Sequence, residues 1–168
     1  DAAEARHLCE PGPEAEGRVE QVLALGVIAA ACDAVGVAER ALEITTAYAK
    51  QRQQFGRPIG SFQAVKHHCA DMAIAVEAGR AAVNAAAEAL DGDPLDWSST
   101  AAVTASYVGP AASKVCDLAL RVHGGIGFTW EHECHFLLKR AKPDEVLCGT
   151  PSWHRRRLAD AVFPTLVA

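Results

Sequence analysis

Helical periodicity between residues 18 and 50 is the main limit on what this chain can fold into. The small or apolar residues on that repeat are Val22, Leu25, Ala29, Cys32, Gly36, Ala41, Ile44 and Tyr48. At 1.5 Å per residue the helix is roughly 50 Å long, and it therefore needs partner helices along its side. Alanine is frequent and only 6% of the residues are aromatic, which favours close-packed helices over a β-sandwich.

Turn residues end this first helix and start the next one. Gly56, Pro58 and Gly60 break the pattern, and Ser61 is a candidate N-cap for a helix over residues 61–90. A third helix follows the turn at 91–94, with Asp96 or Ser98 as its cap, and is predicted to reach residue 122 with a kink at Gly109-Pro110. Shorter helices are predicted over residues 131–141 and 151–162.

These elements predict an all-α fold, an up-down four-helix bundle over residues 17–168, because short connections between long helices give antiparallel neighbours. Residues 1–16 are polar and contain Pro11, Gly12 and Pro13, which is typical of a linker or of the tail of a preceding domain. The chain starts at Asp1 with neither a methionine nor a signal peptide, so we expect a fragment or a processed product.

Charge and hydropathy exclude several classes of partner. The net charge of −5 and the pI near 5.8 argue against a general nucleic-acid binder. The nearly uncharged run over residues 22–38 is interrupted by Asp33 and is too short and too rich in alanine and glycine for a membrane span. A buried helix is the better interpretation of that run.

Cysteine and histidine spacing gives no sign of a disulfide framework or of a metal site. Six cysteines are dispersed without a CxxC pair, so we expect reduced thiols and a cytoplasmic protein; they are Cys9, Cys32, Cys69, Cys116, Cys134 and Cys148. The runs 67–69 (HHC) and 132–135 (HECH) place no two histidines four residues apart on one helix face. No metal ligand is therefore assigned.

Two loops and one helix start carry residues suited to ligand binding. In QRQQFGRPIG, Arg52 suits phosphate oxygens, Gln54 suits a heteroaromatic edge and Phe55 suits stacking on a ring. Taken alone, the segment also fits an ordinary helix end with a Gly-Pro turn. In RVHGGIGFTW, adjacent glycines allow close backbone approach to a ligand, although a helix C-cap is equally compatible.

The third segment is LCGTPSWHRRR, at the start of the last predicted helix. Thr150 is a suitable N-cap, and helix N-termini favour anionic groups. The three arginines at 155–157 are more typical of a solvated face than of a site.

These three segments, in this order and spacing, resemble the C-terminal domain of acyl-CoA dehydrogenases. The similarity extends over about residues 18–160. Its most specific stretches are GVAERALEITTAYAKQRQQFGRPIGSFQAVKHHCADM and HGGIGFTWEHECHFLLKRAK, the latter in the form common among actinobacterial members.

The resemblance implies a helical bundle that contributes to an FAD site at a subunit interface. Arg52, Gln54 and Phe55 would contact the pyrophosphate and adenine side of an FAD bound mainly by the adjacent subunit. The segment Arg121, Val122, His123, Gly124 and Gly125 would hold the same FAD from the other side, and Thr150 would lie near the flavin of its own subunit. The implied partners are an acyl-CoA substrate, further subunits of a homo- or hetero-tetramer and an electron-accepting flavoprotein.

Three positions depart from the family pattern. Arg121 stands where the family often has glutamine. The usual catalytic base is a glutamate immediately before the Gly-Thr pair, and that position is Cys148 here. Some members place the base near the start of the first long helix, where this chain has Gly26. No catalytic residue is therefore assigned.

Three functions remain open at this point. The first is a subunit or fragment of an FAD-dependent acyl-CoA dehydrogenase. The second is a catalytically silent partner that completes the FAD site of an active sister chain. The third is a thiol-using or hydratase-like relative that kept the fold.

Overall fold

The computed structural model describes residues 10–92 and 94–163, of which residues 94–96 are described by their backbone only. Five α-helices and one two-stranded hairpin make up the described chain. In order they are α1 (Pro13–Gln51), β1 (Gln53–Gln54), β2 (Arg57–Pro58), α2 (Gln63–Ala89), α3 (Pro94–His123), α4 (Cys134–Asp144) and α5 (Pro151–Val162). Single 3-10 turns over Ile59–Ser61 and Gly124–Phe128 precede α2 and follow α3. The all-α prediction is confirmed.

Contacts between the helices establish the up-down order. Near the start of α1, Glu20 accepts a hydrogen bond from Ser98 at the start of α3 (3.3 Å), and near its end Tyr48 stacks on His123 at the end of α3 (4.4 Å between ring centroids). Helices α1 and α3 are therefore parallel, and α2, which connects them in the chain, runs in the opposite direction. Helix α4 is antiparallel to α1, because Arg40 pairs with Glu133 just before α4 (2.6 Å) and the earlier Asp33 pairs with the later Arg140 (2.6 Å).

The face of α1 that packs in the core differs from the predicted repeat. Val22, Leu25, Ala29, Cys32 and Gly36 are exposed, and of the predicted stripe only Ala41 is fully buried. The buried face is shifted around the helix and is lined mainly by small residues, which let the neighbouring helices approach closely. It consists of Ala24, Val27, Ile28, Ala31, Ala34, Val35, Val37, Ala38, Ala41, Thr45 and Ala49.

By length and composition alone, α1 meets the criteria for a membrane-crossing helix. Its buried residues, however, form the core shared with α2, α3 and α4. Core helices meet the same criteria, so the packing supports the interpretation of residues 22–38 as part of a buried helix.

Helix starts differ from the predicted caps. Helix α1 begins at Pro13, inside the stretch predicted as linker, because proline suits the first turn and Glu14 and Glu16 favour the positive helix N-terminus. Ser61 is not an N-cap, since it ends the 3-10 turn and α2 begins only at Gln63. Helix α3 already begins at Pro94, and so neither Asp96 nor Ser98 is its cap. The last helix matches its predicted bounds.

Helix α3 continues through Pro110, and Gly109 is where the loop after α4 crosses it most closely. A Cβ at Gly109 would stand 2.8 Å from the Cα of Glu145, so only glycine fits this approach. The contact is held by Ser113, which donates to the carboxylate of Glu145 at 2.6 Å.

The described cysteines are all free thiols, and Cys9 lies outside the described residues. Cys116 and Cys134 are buried as expected, whereas Cys32 is exposed. Burial raises the pKa of the Cys116 thiol to about 12, so this thiol is protonated at neutral pH.

Candidate functional site

The hairpin after α1 presents the first group of predicted residues to solvent. Arg52 caps α1 through its N–H, which donates to Tyr48 O at 2.8 Å, and Gln53 pairs with Pro58 across the hairpin. Phe55 and Gly56 form the turn with φ of 54° and 76°, the pair of positive values that a type I′ turn requires. Phe55 adopts this uncommon conformation with 91% of its surface exposed. An exposed ring held at positive φ is a sign of a ligand- or partner-facing position.

The second group lies at the end of α3. Gly124 has a φ of 64° and ends the helix, and a Cβ on either Gly124 or Gly125 would meet no atom within 4 Å. The main chain here is open to a ligand. Arg121 is exposed and pairs with Asp117 at 2.9 Å. His123 behaves differently, since the residue is only 4% exposed and its imidazole points into the bundle, so its side chain does not face this open surface.

The hairpin and the two glycines occupy the same end of the bundle. The stacked Tyr48 and His123 rings join the last turn of α1 to the last turn of α3, and Arg52 follows Tyr48 by one turn. The predicted residues of both groups therefore lie on the surface at this end of the bundle. This surface carries the exposed cations Arg52 and Arg121 and is called the cationic end below.

The third group lies at the opposite end. Thr150 caps α5 as predicted, with its side-chain oxygen accepting the N–H of Trp153 at 3.2 Å. It lies two residues after Cys148, and Cys148 packs on α1 at Gly26. Along α1, Gly26 and Arg52 are about 40 Å apart at 1.5 Å per residue. One copy of the chain therefore cannot bring Thr150 and Arg52 onto one small cofactor.

Gly26 and Cys148 face each other directly. A Cβ at Gly26 would stand 3.2 Å from the Sγ of Cys148. The family places its catalytic base at one or the other of these two positions, according to the resemblance. They are far apart in sequence but meet at one point in the fold. Neither carries an acidic group.

The loop that holds Cys148 is fixed from the α5 side. Gly149 has a φ of 113°, and a Cβ there would stand 2.7 Å from the Trp153 ring. The buried His154 donates from Nε2 to the carbonyl oxygen of Cys148 at 3.1 Å, and burial lowers the pKa of this imidazole. Among the described residues, nothing accepts a hydrogen bond from the Cys148 N–H. That N–H is free to donate to a ligand.

Apolar side chains flank this point without being buried. Val22 and Leu25 on α1 are 70% and 45% exposed, and Leu147 beside Cys148 is 69% exposed. Large exposed apolar side chains concentrated around one site are typical of a surface that a ligand or another domain covers. Arg157, from the predicted solvated face, instead lies half-buried and pairs with Glu20.

A carboxyl pair that sequence reasoning missed lies beside the same loop. Asp144 ends α4 with a side chain only 3% exposed, and its Oδ2 has no hydrogen-bond partner among the described residues. Burial and the neighbouring Asp33 raise the pKa of Asp144 to about 6. Arg140, 2.6 Å from Asp33, lowers the pKa of Asp33. Helix periodicity does not reveal this pair, because Asp33 and Asp144 come from different helices.

Asp144→Asn should stabilise the protein above pH 6. The raised pKa means that the folded state binds a proton more tightly than the unfolded state. In the wild type, the contribution of protonated Asp144 to the free energy of unfolding is complete below pH 3.8 and is lost as the pH rises through about 6. A shift of about two units corresponds to at most ~3 kcal/mol. Urea unfolding at pH 5 and pH 7.5 should show the advantage of the asparagine variant growing with pH.

The matched control for this prediction is Asp117→Asn, because Asp117 is half-exposed and pairs with Arg121 on the surface. Exposed pairs contribute about 0–1 kcal/mol, so its effect should change little between pH 5 and pH 7.5. Equal pH profiles for wild type and Asp144→Asn would contradict the assignment of the raised pKa.

Comparison with known proteins places the chain in a family. Residues 17–163 match the family model described as "Acyl-CoA dehydrogenase, C-terminal domain". The chain is 42% identical to acyl-CoA dehydrogenase IpdE2 of Mycolicibacterium smegmatis, over 79% of this chain and 41% of the relative. It is 47% identical to acyl-CoA dehydrogenase FadE34 of Mycobacterium tuberculosis, over 85% of this chain and 20% of that one.

A solved structure shares the fold as well as the sequence. The structure described as the Tcur3481-Tcur3483 steroid ACAD G363A variant superposes with a TM-score of 0.84 and 34% identity, covering 94% of this chain and 42% of that one. The chain thus spans less than half the length of the proteins it matches. It belongs to the acyl-CoA dehydrogenase family and corresponds to the C-terminal helical domain of that family.

Proposed function

We propose that this chain is the domain through which an FAD-dependent acyl-CoA dehydrogenase completes its cofactor site at a subunit interface and assembles into an oligomer. The reaction is α,β-dehydrogenation of an acyl-CoA thioester. The observation that carries the proposal is the cationic end, where open glycine main chain adjoins exposed arginines. A pyrophosphate group needs both features, because it takes hydrogen bonds from backbone N–H groups and charge from guanidinium forks.

The described residues fit an FAD molecule shared between two copies. Arg52, Gln54 and Phe55 would hold the pyrophosphate and adenine side of the FAD of the adjacent subunit. Arg121 and the main chain from Val122 to Gly125 would hold it from the other side. Thr150 would lie near the flavin bound to its own subunit. The separation of about 40 Å between the two ends supports this division between copies, since one copy cannot reach one FAD with both ends.

At the opposite end, the chain contributes a hydrogen bond rather than a base. FAD, when bound, accepts the hydride that leaves the β-carbon, and its electrons pass to an electron-accepting flavoprotein. The free N–H of Cys148 is suited to donate to the thioester carbonyl oxygen, where negative charge develops as the α-proton leaves. The exposed Val22, Leu25 and Leu147 would then line the acyl chain.

A second function is favoured by the absence of an acidic side chain at Gly26 and Cys148. In this alternative, the chain is a catalytically silent partner that completes the FAD site of an unlike sister chain carrying the glutamate. The name of the related steroid enzyme, Tcur3481-Tcur3483, itself pairs two components. Both functions use the same cationic end and predict bound FAD.

The full-length protein is expected to bind FAD in the oligomer and to turn over acyl-CoA thioesters only weakly by itself. If it pairs with an unlike sister chain, activity should survive Cys148→Ala in this chain and be lost with Glu→Gln in the sister. The assay is reduction of an artificial electron acceptor by a panel of acyl-CoA and steroid-CoA thioesters. Robust turnover without any partner would show that another residue is the base, and absence of FAD would refute both functions.

A further inference from the structure

Two imidazoles and a thiol meet where α3 ends and α4 begins. His123, His132 and Cys134 each offer one ligand atom, and these atoms lie within 4.8 Å of one another. His123 and Cys134 are 4% and 1% exposed. The spacing of residues 132–135 alone does not reveal the group, because His123 is contributed by the preceding helix. The proposed dehydrogenation does not use these side chains.

The hydrogen bonds of His123 leave one ring nitrogen ready to bind a ligand. Nδ1 lies 2.7 Å from the carbonyl oxygen of Ala119, which only accepts, so Nδ1 carries the proton. Nε2 therefore has a free lone pair, and it is buried with no hydrogen-bond partner among the described residues. Histidines that bind metals commonly donate their other ring N–H to a backbone carbonyl in this way.

The remaining two residues are held close to this imidazole. Cys134 Sγ lies 3.3 Å from His123 Nδ1, and the rings of His123 and His132 are 4.3 Å apart. The Cys134 N–H donates to Nδ1 of His132 at 3.3 Å, a long hydrogen bond that a metal ion bound to the same nitrogen would replace. Tyr48 stacks on His123, so the imidazole is held in one orientation.

We propose that His123, His132 and Cys134 form a zinc site that ties the end of α3 to the start of α4. One thiolate and two imidazoles are ligands that zinc prefers, and water would complete a tetrahedron. A tetrahedral site places nitrogen and sulfur ligands about 3.5 Å apart. Binding would therefore turn the Cys134 thiol from Nδ1 towards Nε2 of His123 and draw the three ligand atoms together. The thiol would lose its proton to solvent as the sulfur–metal bond forms. The proposed FAD contacts use the Arg121 side chain and the main chain from Val122 to Gly125, so they leave the imidazole of His123 to the metal.

Cobalt(II) titration of the metal-free full-length protein tests this proposal. We expect about one Co²⁺ per chain with a thiolate-to-cobalt charge-transfer band, and we expect Zn²⁺ to displace it. Cys134→Ser should abolish the band. His132→Asn alters a half-buried residue outside the helices and should weaken Co²⁺ binding by roughly 10- to 100-fold or more, with helix content retained. Cys69→Ser, which removes a half-buried thiol from α2, is the control and should bind like wild type.

Zn²⁺ should also raise the Tm of wild type and of Cys69→Ser, but not that of His132→Asn, because a ligand stabilises only the state that binds it. Absence of a charge-transfer band in wild type, or equal Co²⁺ affinity in wild type and His132→Asn, would overturn the site. FAD content measured on the same samples reports separately on the proposed function.

Discussion

Cys148→Glu in the full-length homo-oligomer should raise acyl-CoA turnover by roughly 10²–10⁴-fold, the usual contribution of a positioned general base. The main chain around residue 148 is already held in one conformation. Its carbonyl is held by His154, its N–H is free, and Gly149 supplies the positive φ that follows it. A carboxylate would therefore be added to a positioned site and would accept the α-proton of the thioester.

The facing glycine offers an independent version of the same experiment. A Cβ at Gly26 would stand 3.2 Å from Cys148 Sγ. A glutamate at position 26 therefore has room only when residue 148 has no sulfur atom. The double change Gly26→Glu with Cys148→Ala should therefore restore turnover from the opposite side of the same point. Recovery by both routes would locate the substrate α-carbon between α1 and the loop before α5.

The measurement is steady-state reduction of an artificial electron acceptor with a panel of acyl-CoA and steroid-CoA thioesters. Cys148→Gln is the matched control, because it has the size of glutamate and no basic oxygen at neutral pH. It should stay at the wild-type level. A Cys148→Gln variant as fast as Cys148→Glu would mean that side-chain volume, and not proton transfer, explains the gain.

Arg52→Ala in the full assembly should weaken FAD retention by roughly 10- to 150-fold. A hydrogen bond to a charged group contributes about 1.5–3 kcal/mol, and the Arg52 guanidinium is proposed to make one to the pyrophosphate of the neighbouring subunit. Arg52 is exposed and follows the last turn of α1, so its removal leaves the core intact. The affinity is measured by titrating FAD into the apoprotein.

Arg57→Ala is the control from the same hairpin. Its guanidinium lies 4.1 Å from the centre of the ring of Phe62, the residue before α2, and it is not proposed to contact FAD. FAD binding should change much less in this variant. Unchanged FAD affinity in Arg52→Ala would remove this residue from the cofactor site, although the family assignment does not depend on it.

Much of the secondary structure follows from local chemistry and was predictable from the sequence. Apolar periodicity predicts the three long helices, and Thr150 followed by Pro151 predicts the start of α5 correctly. The errors are at the other helix starts. Pro13 and Pro94 both open helices instead of preceding them, because a first-turn proline loses no intrahelical hydrogen bond.

The candidate site was predictable only in part. The segments around Arg52, Gly124 and Thr150 were identified from sequence motifs, and the structure places the first two at one end and the third at the other. The inward orientation of the His123 imidazole was not predictable, since helical phase near a helix end depends on what packs against it.

The sequence by itself determined that long helices form here, because periodicity and alanine content act within a few turns of one chain. It did not determine which face of α1 is buried. Val22, Leu25 and Cys32 are as apolar as Ala31, Ala34 and Ala38, and only the close approach of the neighbouring helices selects the smaller residues for the core. The meeting of Gly26 with Cys148, and of Asp33 with Asp144, was likewise decided by the tertiary structure. These residues are more than one hundred positions apart, and only packing between helices brings such distant groups into contact.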